Sequence, residues 1–141
     1  MLPQGKFRVL VVEDDQRLRS VLVQLLADWG YETEMASDGM EALEKIHSFH
    51  PVIVISDLRM PRMDGLQLLN TLRETTPGVN FILVSGYENL SKARSAVGSD
   101  VCSFLEKPLD PDRLRSELRN CLAPFASLRK LLPTRRHLLR G

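Results

Sequence analysis

The stretch Pro-Val-Ile-Val-Ile-Ser-Asp-Leu-Arg-Met-Pro-Arg-Met-Asp-Gly, residues 51–65, decides the fold of this chain. Residues 52–55 form a continuous apolar, β-branched run, which is typical of a strand buried on both faces of a parallel sheet. Asp57 follows this run, so we expect its carboxylate at the carboxyl edge of the sheet, where open α/β sheets bind their ligands. Asp64 and Gly65 then predict a turn and a helix that Asp64 caps.

Strand and helix patterns alternate along the rest of the chain. The five predicted strands cover residues 7–12, 31–35, 52–55, 81–84 and 101–105. The five helices are predicted from apolar residues at helical spacing, which are Leu18, Val21, Leu22, Leu25, Leu26 and Trp29, then Met40, Leu43 and Ile46, then Leu68, Leu69 and Leu72, then Leu90, Ala93 and Val97 within residues 88–97, and finally Leu114, Leu118, Cys121 and Leu122. Short turns between alternating elements imply parallel pairing with right-handed crossovers. We therefore predict an α/β fold, a doubly wound five-stranded parallel sheet of order 2-1-3-4-5 in a three-layer sandwich with five helices.

The length of 141 residues suits one domain with a short extension. We place the domain at residues 1–123, which carry a net charge of −4, and a basic C-terminal extension or linker at residues 124–141, which hold five Lys or Arg and no acid. Pro124 and Pro133 are expected to limit regular helix in the extension. Its leucines leave three alternatives open: it extends the last helix, packs on the domain, or begins a linker. Scattered bases without aromatic platforms predict no direct nucleic-acid binding.

The sequence also bears on location and on the cysteines. No apolar run approaches the roughly 20 residues that a transmembrane helix needs, and the first residues show no secretory signal. We therefore expect a cytoplasmic protein that makes no contact with a membrane. Cys102 and Cys121 have no metal-ligand spacing, and we predict that both are buried free thiols.

Five polar residues are predicted to meet at the carboxyl edge of the sheet. Strands one, three, four and five end there, and they deliver Glu13, Asp14, Asp57, Ser85 and Lys107. Three carboxylates in one place repel one another unless a cation compensates them. Oxygen donors without a nearby His or Cys favour Mg²⁺ over zinc. Together with an ammonium and a hydroxyl group, these are the parts needed to place a phosphoryl group on a carboxylate.

Four motifs in this sequence resemble those of the receiver domain of bacterial two-component response regulators, a CheY-like domain with a flavodoxin-like fold. The motifs are Glu13-Asp14 after the first strand, Ser-Asp-Leu-Arg-Met-Pro-x-Met-Asp-Gly around Asp57, Ser85 after the fourth strand, and Lys107-Pro108 after the fifth. The resemblance covers residues 6–122. Glu13, Ser85 and Gly86 stand where the family often has Asp, Thr and Ala. One motif alone would be weak evidence, whereas four in the family's order and spacing are specific.

The resemblance implies a role for the acidic residues. Asp57 would accept a phosphoryl group from the phosphohistidine of a sensor histidine kinase. Mg²⁺ would be held by Asp14, Asp57 and the backbone carbonyl of Arg59, with Glu13 acting through water.

The resemblance also implies how the phosphoryl group is bound and sensed. Ser85 and Lys107 would contact its oxygens, and a cis peptide bond is implied between Lys107 and Pro108. Phe104 stands where the family has an aromatic switch, which turns inward once Ser85 moves toward the phosphoryl group. The added charge would thereby favour one of two arrangements of the same domain.

On this interpretation the chain is not an enzyme but a signalling domain that catalyses only its own phosphorylation and dephosphorylation. Its partners would be a sensor histidine kinase and an output domain or downstream protein, and residues 55–61 resemble receivers attached to transcription regulators. We also expect a homodimer through the fourth helix, fifth strand and fifth helix. The alternative is a degenerate receiver that acts as a phosphorylation-independent protein-interaction module. A nucleotide or flavin site is disfavoured because residues 12–14 and 55–57 form no Gly- or Ser/Thr-rich loop.

Overall fold

The structure is a computed structural model that describes residues 6–86, 91–95 and 101–131, with side chains described as far as residue 125. Five strands form one sheet of order β2-β1-β3-β4-β5, and every neighbouring pair is parallel. The strands are β1 (Arg8–Val12), β2 (Glu32–Ala36), β3 (Ile53–Asp57), β4 (Asn80–Ser85) and β5 (Ser103–Glu106). The helices are α1 (Gln16–Asp28), α2 (Gly39–Phe49), α3 (Gly65–Thr75), the helical residues 91–95, which we number α4, and α5 (Pro111–Leu131). The predicted doubly wound, flavodoxin-like fold and its strand order are confirmed.

The central strand β3 is buried along its whole length, as its unbroken apolar run predicted. One face of the sheet carries a core cluster that includes Leu10, Val54 and Leu83 from the strands and Ala42, Ile46, Leu68 and Leu72 from α2 and α3. Side chains alternate between the faces of a strand, so Val9, Val11 and Ile53 point to the opposite face, and they are fully buried too. Each large apolar side chain buried in this way contributes about 1.5–3 kcal/mol. Burial on both faces holds the end of β3, and therefore Asp57, in a fixed place.

The starts of α2 and α3 show two kinds of cap. In α3 the Asp64 side chain accepts the N–H of Gln67, so the predicted cap is confirmed, and the Gln67 side chain accepts the N–H of Asp64, which completes a capping box. In α2 the Asp38 side chain accepts the N–H of Glu41 at 2.9 Å. The carboxylate of Glu41, however, bonds to the hydroxyl and N–H of Ser37, so this second cap is not reciprocal.

Two of the apolar residues from which helices were predicted face the solvent. Val21 on α1 is 55% exposed, and Met40 on α2 is 44% exposed. The buried stripe of α1 runs through Leu22 and Leu26, which are one turn apart. A residue next to such a stripe is turned by about 100° around the helix axis, so an apolar residue there is exposed.

The last helix is longer than predicted. α5 continues through Pro124 to residue 131, so the described part of the basic extension is helical, and the expectation that Pro124 limits helix is wrong. Proline lacks an N–H and crowds the preceding turn, but a helix can continue past it when its other residues remain hydrogen-bonded. Residues 132–141 lie outside the described residues, as do residues 88–90, 96 and 97 of the predicted fourth helix. Within the described part, no helix combines the length and the apolar character needed to cross a membrane.

The two cysteines differ from their prediction. Cys102 and Cys121 are both disulfide-bonded, so the prediction of free thiols is wrong, and Cys102 is exposed rather than buried. Disulfide formation depends on the distance and direction of two side chains in the folded chain, which the spacing in the sequence does not report.

Candidate functional site

The candidate site lies at the carboxyl edge of the sheet, where β1 and β3 are neighbours although β2 lies between them in the chain. Val12 pairs in register with Ser56, so the next residues, Glu13 and Asp57, leave the sheet side by side. β4 lies on the other side of β3 and ends at Ser85. Strand order reverses between β1 and β3, and such a switch point opens a crevice for ligands in this fold.

Three carboxylates form a cluster at this edge. One oxygen each from Glu13, Asp14 and Asp57 lie within 4.8 Å of one another. Glu13 is 2% exposed and Asp57 is 9% exposed, whereas Asp14 is open to solvent. Two buried acids so close together are costly when both are charged, because burial and repulsion both oppose ionisation. The cluster therefore needs a positive partner.

Lys107 supplies a positive charge from the end of β5. Its Nζ atom donates to Oδ2 of Asp57 at 3.0 Å and to Oε1 of Glu13 at 3.1 Å. Its backbone N–H donates to the carbonyl of Ser85 at 2.9 Å, which ties the residue to the end of β4. The peptide bond between Lys107 and Pro108 is cis, as the resemblance implied. Lys107 thus joins groups from four strands in one place.

Burial and neighbouring charges shift the pKa values of two groups at the site, Glu13 and Lys107. Burial raises the pKa of Glu13 to about 8; the hydrogen bond and charge of Asp57 add to the rise, and Lys107 opposes it. Burial alone would lower the pKa of Lys107, but its contacts with Asp57 and Glu13 outweigh burial and raise that pKa. These shifts favour the protonated form of Glu13 and the ammonium form of Lys107.

The backbone around Asp57 is held from several sides. Oδ1 of Asp57 accepts the N–H of Leu58 at 2.8 Å, and the Ser56 hydroxyl donates to the Asp57 carbonyl at 2.9 Å. The first residue of α3, Gly65, packs so closely that an added Cβ would contact the Asp57 carbonyl oxygen. Neither the backbone nor the carboxylate of Asp57 has freedom to leave the edge of the sheet.

The predicted site has three further residues. Ser85 is 2% exposed and is the last residue of β4. Arg59 is exposed and lies two residues after Asp57 in the chain. Phe104 is half-buried in β5, and the guanidinium of Arg94 lies 5.0 Å from the centre of its ring. The roles of these residues stay predictions.

Sequence reasoning missed three residues that support the site. Nε and Nη2 of Arg62 each lie 2.8 Å from Oδ2 of Asp38, the N-cap residue of α2. Nη1 of Arg19 donates to the backbone carbonyl of Glu13 at 2.8 Å. Arg62 occupies the variable position of the Met-Pro-x-Met-Asp-Gly motif, so nothing in the sequence pointed to its partner on another element.

The carboxylate cluster suits a hard divalent cation. Its donors are all oxygen atoms, which Mg²⁺ and Ca²⁺ prefer, whereas zinc sites draw on nitrogen or sulfur. When its three acids are ionised, the cluster and Lys107 together carry a charge of −2. A divalent cation would neutralise this charge. The residues present therefore fit a metal ion.

Comparison with known families identifies the class of protein. The model of the response regulator receiver domain matches residues 9–119, and the chain belongs to this family. It is similar to the transcriptional regulatory protein ZraR of Klebsiella oxytoca, with 35% identity over 115 residues that make up 82% of this chain and 26% of the relative. It is also similar to the Regulator of RpoS of Escherichia coli K12, with 37% identity over 118 residues, which are 83% of this chain and 35% of that protein. The chain thus spans between a quarter and about a third of these curated relatives.

Solved structures give the same result for the fold. A receiver domain protein from Clostridium thermocellum matches with a TM-score of 0.80 at 25% identity, over 86% of this chain and 98% of the other. The receiver domain of NtrX from Brucella abortus matches with a TM-score of 0.76 at 33% identity, over 82% of this chain and 98% of the other. The chain is therefore a receiver domain of the kind found in two-component response regulators.

Proposed function

We propose that this domain accepts a phosphoryl group on Asp57 from the phosphohistidine of a sensor histidine kinase, with Mg²⁺ as its cofactor. The observation that carries the proposal is the ammonium of Lys107, which lies 3.0 Å from the Asp57 carboxylate within a cluster of three acids. Asp14, Asp57 and the backbone carbonyl of Arg59 would hold the metal ion, and Glu13 would act through water. The bound cation would supply positive charge to the transferring phosphoryl oxygens.

The chemical step is the transfer of one phosphoryl group. A carboxylate oxygen of Asp57 forms a bond to phosphorus while the bond between phosphorus and the histidine nitrogen breaks, and the electron pair of that bond stays on the imidazole. The ammonium of Lys107 and the hydroxyl of Ser85 would bind the oxygens that gain charge. No separate substrate is turned over, since the acyl phosphate that forms is later lost to water.

The phosphoryl group would act as a ligand that favours one arrangement of the domain over another. Ser85 would move toward it, and Phe104 would turn inward into the space that Ser85 leaves. Phe104 begins this movement in contact with Arg94 of α4, whose guanidinium covers its ring. The change would therefore reach α4 and β5.

The partners follow from the same proposal. The kinase meets the Asp57 edge, and an output domain or downstream protein, or a second copy of the chain, meets the surface of α4 and β5. Because one matched relative is named a transcriptional regulatory protein, we place the output in the control of transcription, without direct nucleic-acid binding by this domain. Such a system works in the cytoplasm.

The test is to incubate the protein with Mg²⁺ and acetyl phosphate and to measure its intact mass. We expect one added phosphoryl group on the wild-type protein and none on Asp57→Asn. Asp15→Asn is the matched control, because Asp15 is an acid next to the cluster that serves as the N-cap of α1, and asparagine caps equally well. This variant is expected to be modified like the wild type.

Two results would contradict the proposal. Acid-stable, base-labile phosphate retained on Asp57→Asn would show that another residue is the acceptor. A wild-type protein that takes up no phosphate, although folded and supplied with Mg²⁺, would favour the alternative of a phosphorylation-independent interaction module.

A further inference from the structure

The loop between β3 and α3, residues 58–64, begins beside the proposed metal site, where the N–H of Leu58 donates to Oδ1 of Asp57. It starts directly after Asp57 and includes Arg59, whose carbonyl is a proposed ligand. The loop is closed at its base, because the N–H of Gly65 donates to the carbonyl of Leu58 at 2.8 Å. The shape of the rest of the loop therefore decides where the Arg59 carbonyl lies.

Arg62 gives this loop an unusual backbone conformation. Its φ angle is 63°, in the left-handed region that residues other than Gly, Asn and Asp rarely adopt. An arginine persists there only when its surroundings hold it.

The side chain of Asp38 is what holds Arg62. Both Nε and Nη2 of Arg62 lie 2.8 Å from Oδ2 of Asp38, which is only 5% exposed. The other oxygen, Oδ1, accepts the N–H of Glu41 in the first turn of α2. One buried carboxylate thus caps a helix with one oxygen and holds the loop with the other. The Arg62 side chain is 62% exposed, so the contact matters through the geometry that it fixes more than through its strength.

A second contact fixes the loop to the same helix. The N–H of Gly39 donates to the carbonyl of Met63 at 3.1 Å. An added Cβ on Gly39 would lie 2.6 Å from Cγ of Met63, so the loop packs directly on the first residue of α2. Two successive loop residues, Arg62 and Met63, are therefore bound to two successive residues, Asp38 and Gly39.

We propose that Asp38 and Arg62 are a positioning pair, which holds the β3–α3 loop in the shape that presents the Arg59 carbonyl to the metal ion. This inference rests on the proposed function, because it assigns the pair to the same site. Neither residue contacts the metal or the phosphoryl group. Both residues act by fixing the shape of the loop. Because Asp38 is the N-cap of α2, the start of this helix then influences the affinity for the metal ion.

Two variants each remove one member of the pair, and a third variant is a conservative replacement of Arg62. Arg62→Gly removes the ion pair but suits the left-handed backbone, so the domain should keep its thermal unfolding temperature while the loop loosens. Asp38→Asn keeps a helix cap but removes the charge that holds Arg62. Arg62→Lys keeps the positive charge without the planar guanidinium. Its hydrogen exchange and its Mg²⁺ affinity should therefore lie between those of Arg62→Gly and those of the wild type.

The first readout needs no metal. Hydrogen exchange at the N–H groups of Gly39 and Gly65 should be several-fold faster in Arg62→Gly and Asp38→Asn. The second readout is Mg²⁺ binding measured by calorimetry. We expect the dissociation constant to rise by about tenfold in each variant, the size of effect usual for groups that orient metal ligands, and to rise no further in the double variant.

Arg8→Ala is the matched control. It also removes an arginine paired with an acid, since Nε of Arg8 lies 3.2 Å from Oε2 of Glu32, but at the start of β1 rather than at its carboxyl end. Its exchange at Gly39 and Gly65 and its Mg²⁺ affinity should match the wild type.

The outcomes separate the two proposals. If the wild type binds Mg²⁺ and both pair variants bind it equally well, with unchanged exchange at Gly39 and Gly65, the positioning role is overturned and the proposed function stands. If the folded wild type binds no Mg²⁺, the proposed function fails, and the role of the pair fails with it.

Discussion

The carboxyl group of Glu13 couples proton binding to folding. It is buried beside Asp57 and Lys107, and its pKa is raised from 4.5 in a model peptide to about 8. Between these two values the folded protein holds a proton that the unfolded chain has released. The contribution of Glu13 to the free energy of unfolding is therefore fully present below pH 4.5. It decreases as the pH rises and is lost once the pH has passed about 8.

We accordingly expect the free energy of unfolding, measured without metal, to fall between pH 4.5 and 8 by up to about 1.4 kcal/mol per pH unit on account of Glu13. Glu13→Gln cannot ionise, so it should lack this part of the slope. Urea unfolding of both proteins across the pH range measures the difference. Profiles that run parallel would contradict the raised pKa.

Lys107 is expected to assist the attachment of phosphate and to be required for the response to it. Lys107→Ala should still fold and accept a phosphoryl group from acetyl phosphate, but its amide NMR spectrum should change little on modification. The reason is that its ammonium is the cation placed to draw β5 toward the new charge. Lys45→Ala, which removes another lysine paired with an acid, Glu34, is the control. A wild-type spectral change in Lys107→Ala would contradict this role.

At the scale of single elements, the start of α3 depends on how closely its first residue packs on the end of β3. Gly65 packs against the backbone of Asp57 and Leu58 and against Leu83. A methyl group there has no space, and the nearest atoms belong to the backbone of the central strand, which cannot shift cheaply. The glycine is therefore needed for packing.

Gly65→Ala should lower the free energy of unfolding by about 1–3 kcal/mol, the usual cost of overpacking. Gly78→Ala is the matched control, since an added Cβ at Gly78 meets nothing within 4 Å and its stability should be close to that of the wild type. Thermal or urea unfolding of both variants gives the comparison. Equal stabilities would show that α3 can shift away from β3.

The elements differ in how far the sequence could predict them. β3 was predictable because burial on both faces leaves an unbroken apolar run, and the start of α3 because Asp64 and Gln67, the two members of its capping box, are only three residues apart in sequence. The exposure of Val21 and Met40 was not, since apolar residues beside a buried stripe look like part of it. The passage of α5 through Pro124 also contradicts a local rule.

Parts of the candidate site could likewise be predicted from the sequence, and other parts could not. The convergence of Glu13, Asp57 and Lys107 follows from strand order, because parallel strands end at one edge. The contact between Asp38 and Arg62 depends instead on how one loop packs on a helix from another part of the chain. No local pattern reports such a contact, and it became visible only in three dimensions.

At the scale of the whole molecule, the family match ends at residue 119, and the last buried side chain described in α5 is Leu122. We expect that a chain ending at residue 123 folds and is phosphorylated like the full chain, because the removed segment adds no side chain to the described core. Thermal unfolding and modification by acetyl phosphate compare the two. A truncated chain that unfolds at a much lower temperature would move the predicted domain boundary beyond residue 123.

The position of β2 at the open edge of the sheet affects how copies of this protein can meet. Glu32 and Glu34 of this strand are bound to Arg8 and Lys45, so the rim is polar and engaged with its own chain. Charged side chains along an edge strand oppose its pairing with the edge of another sheet. Strand-by-strand aggregation is thus discouraged there even at high concentration.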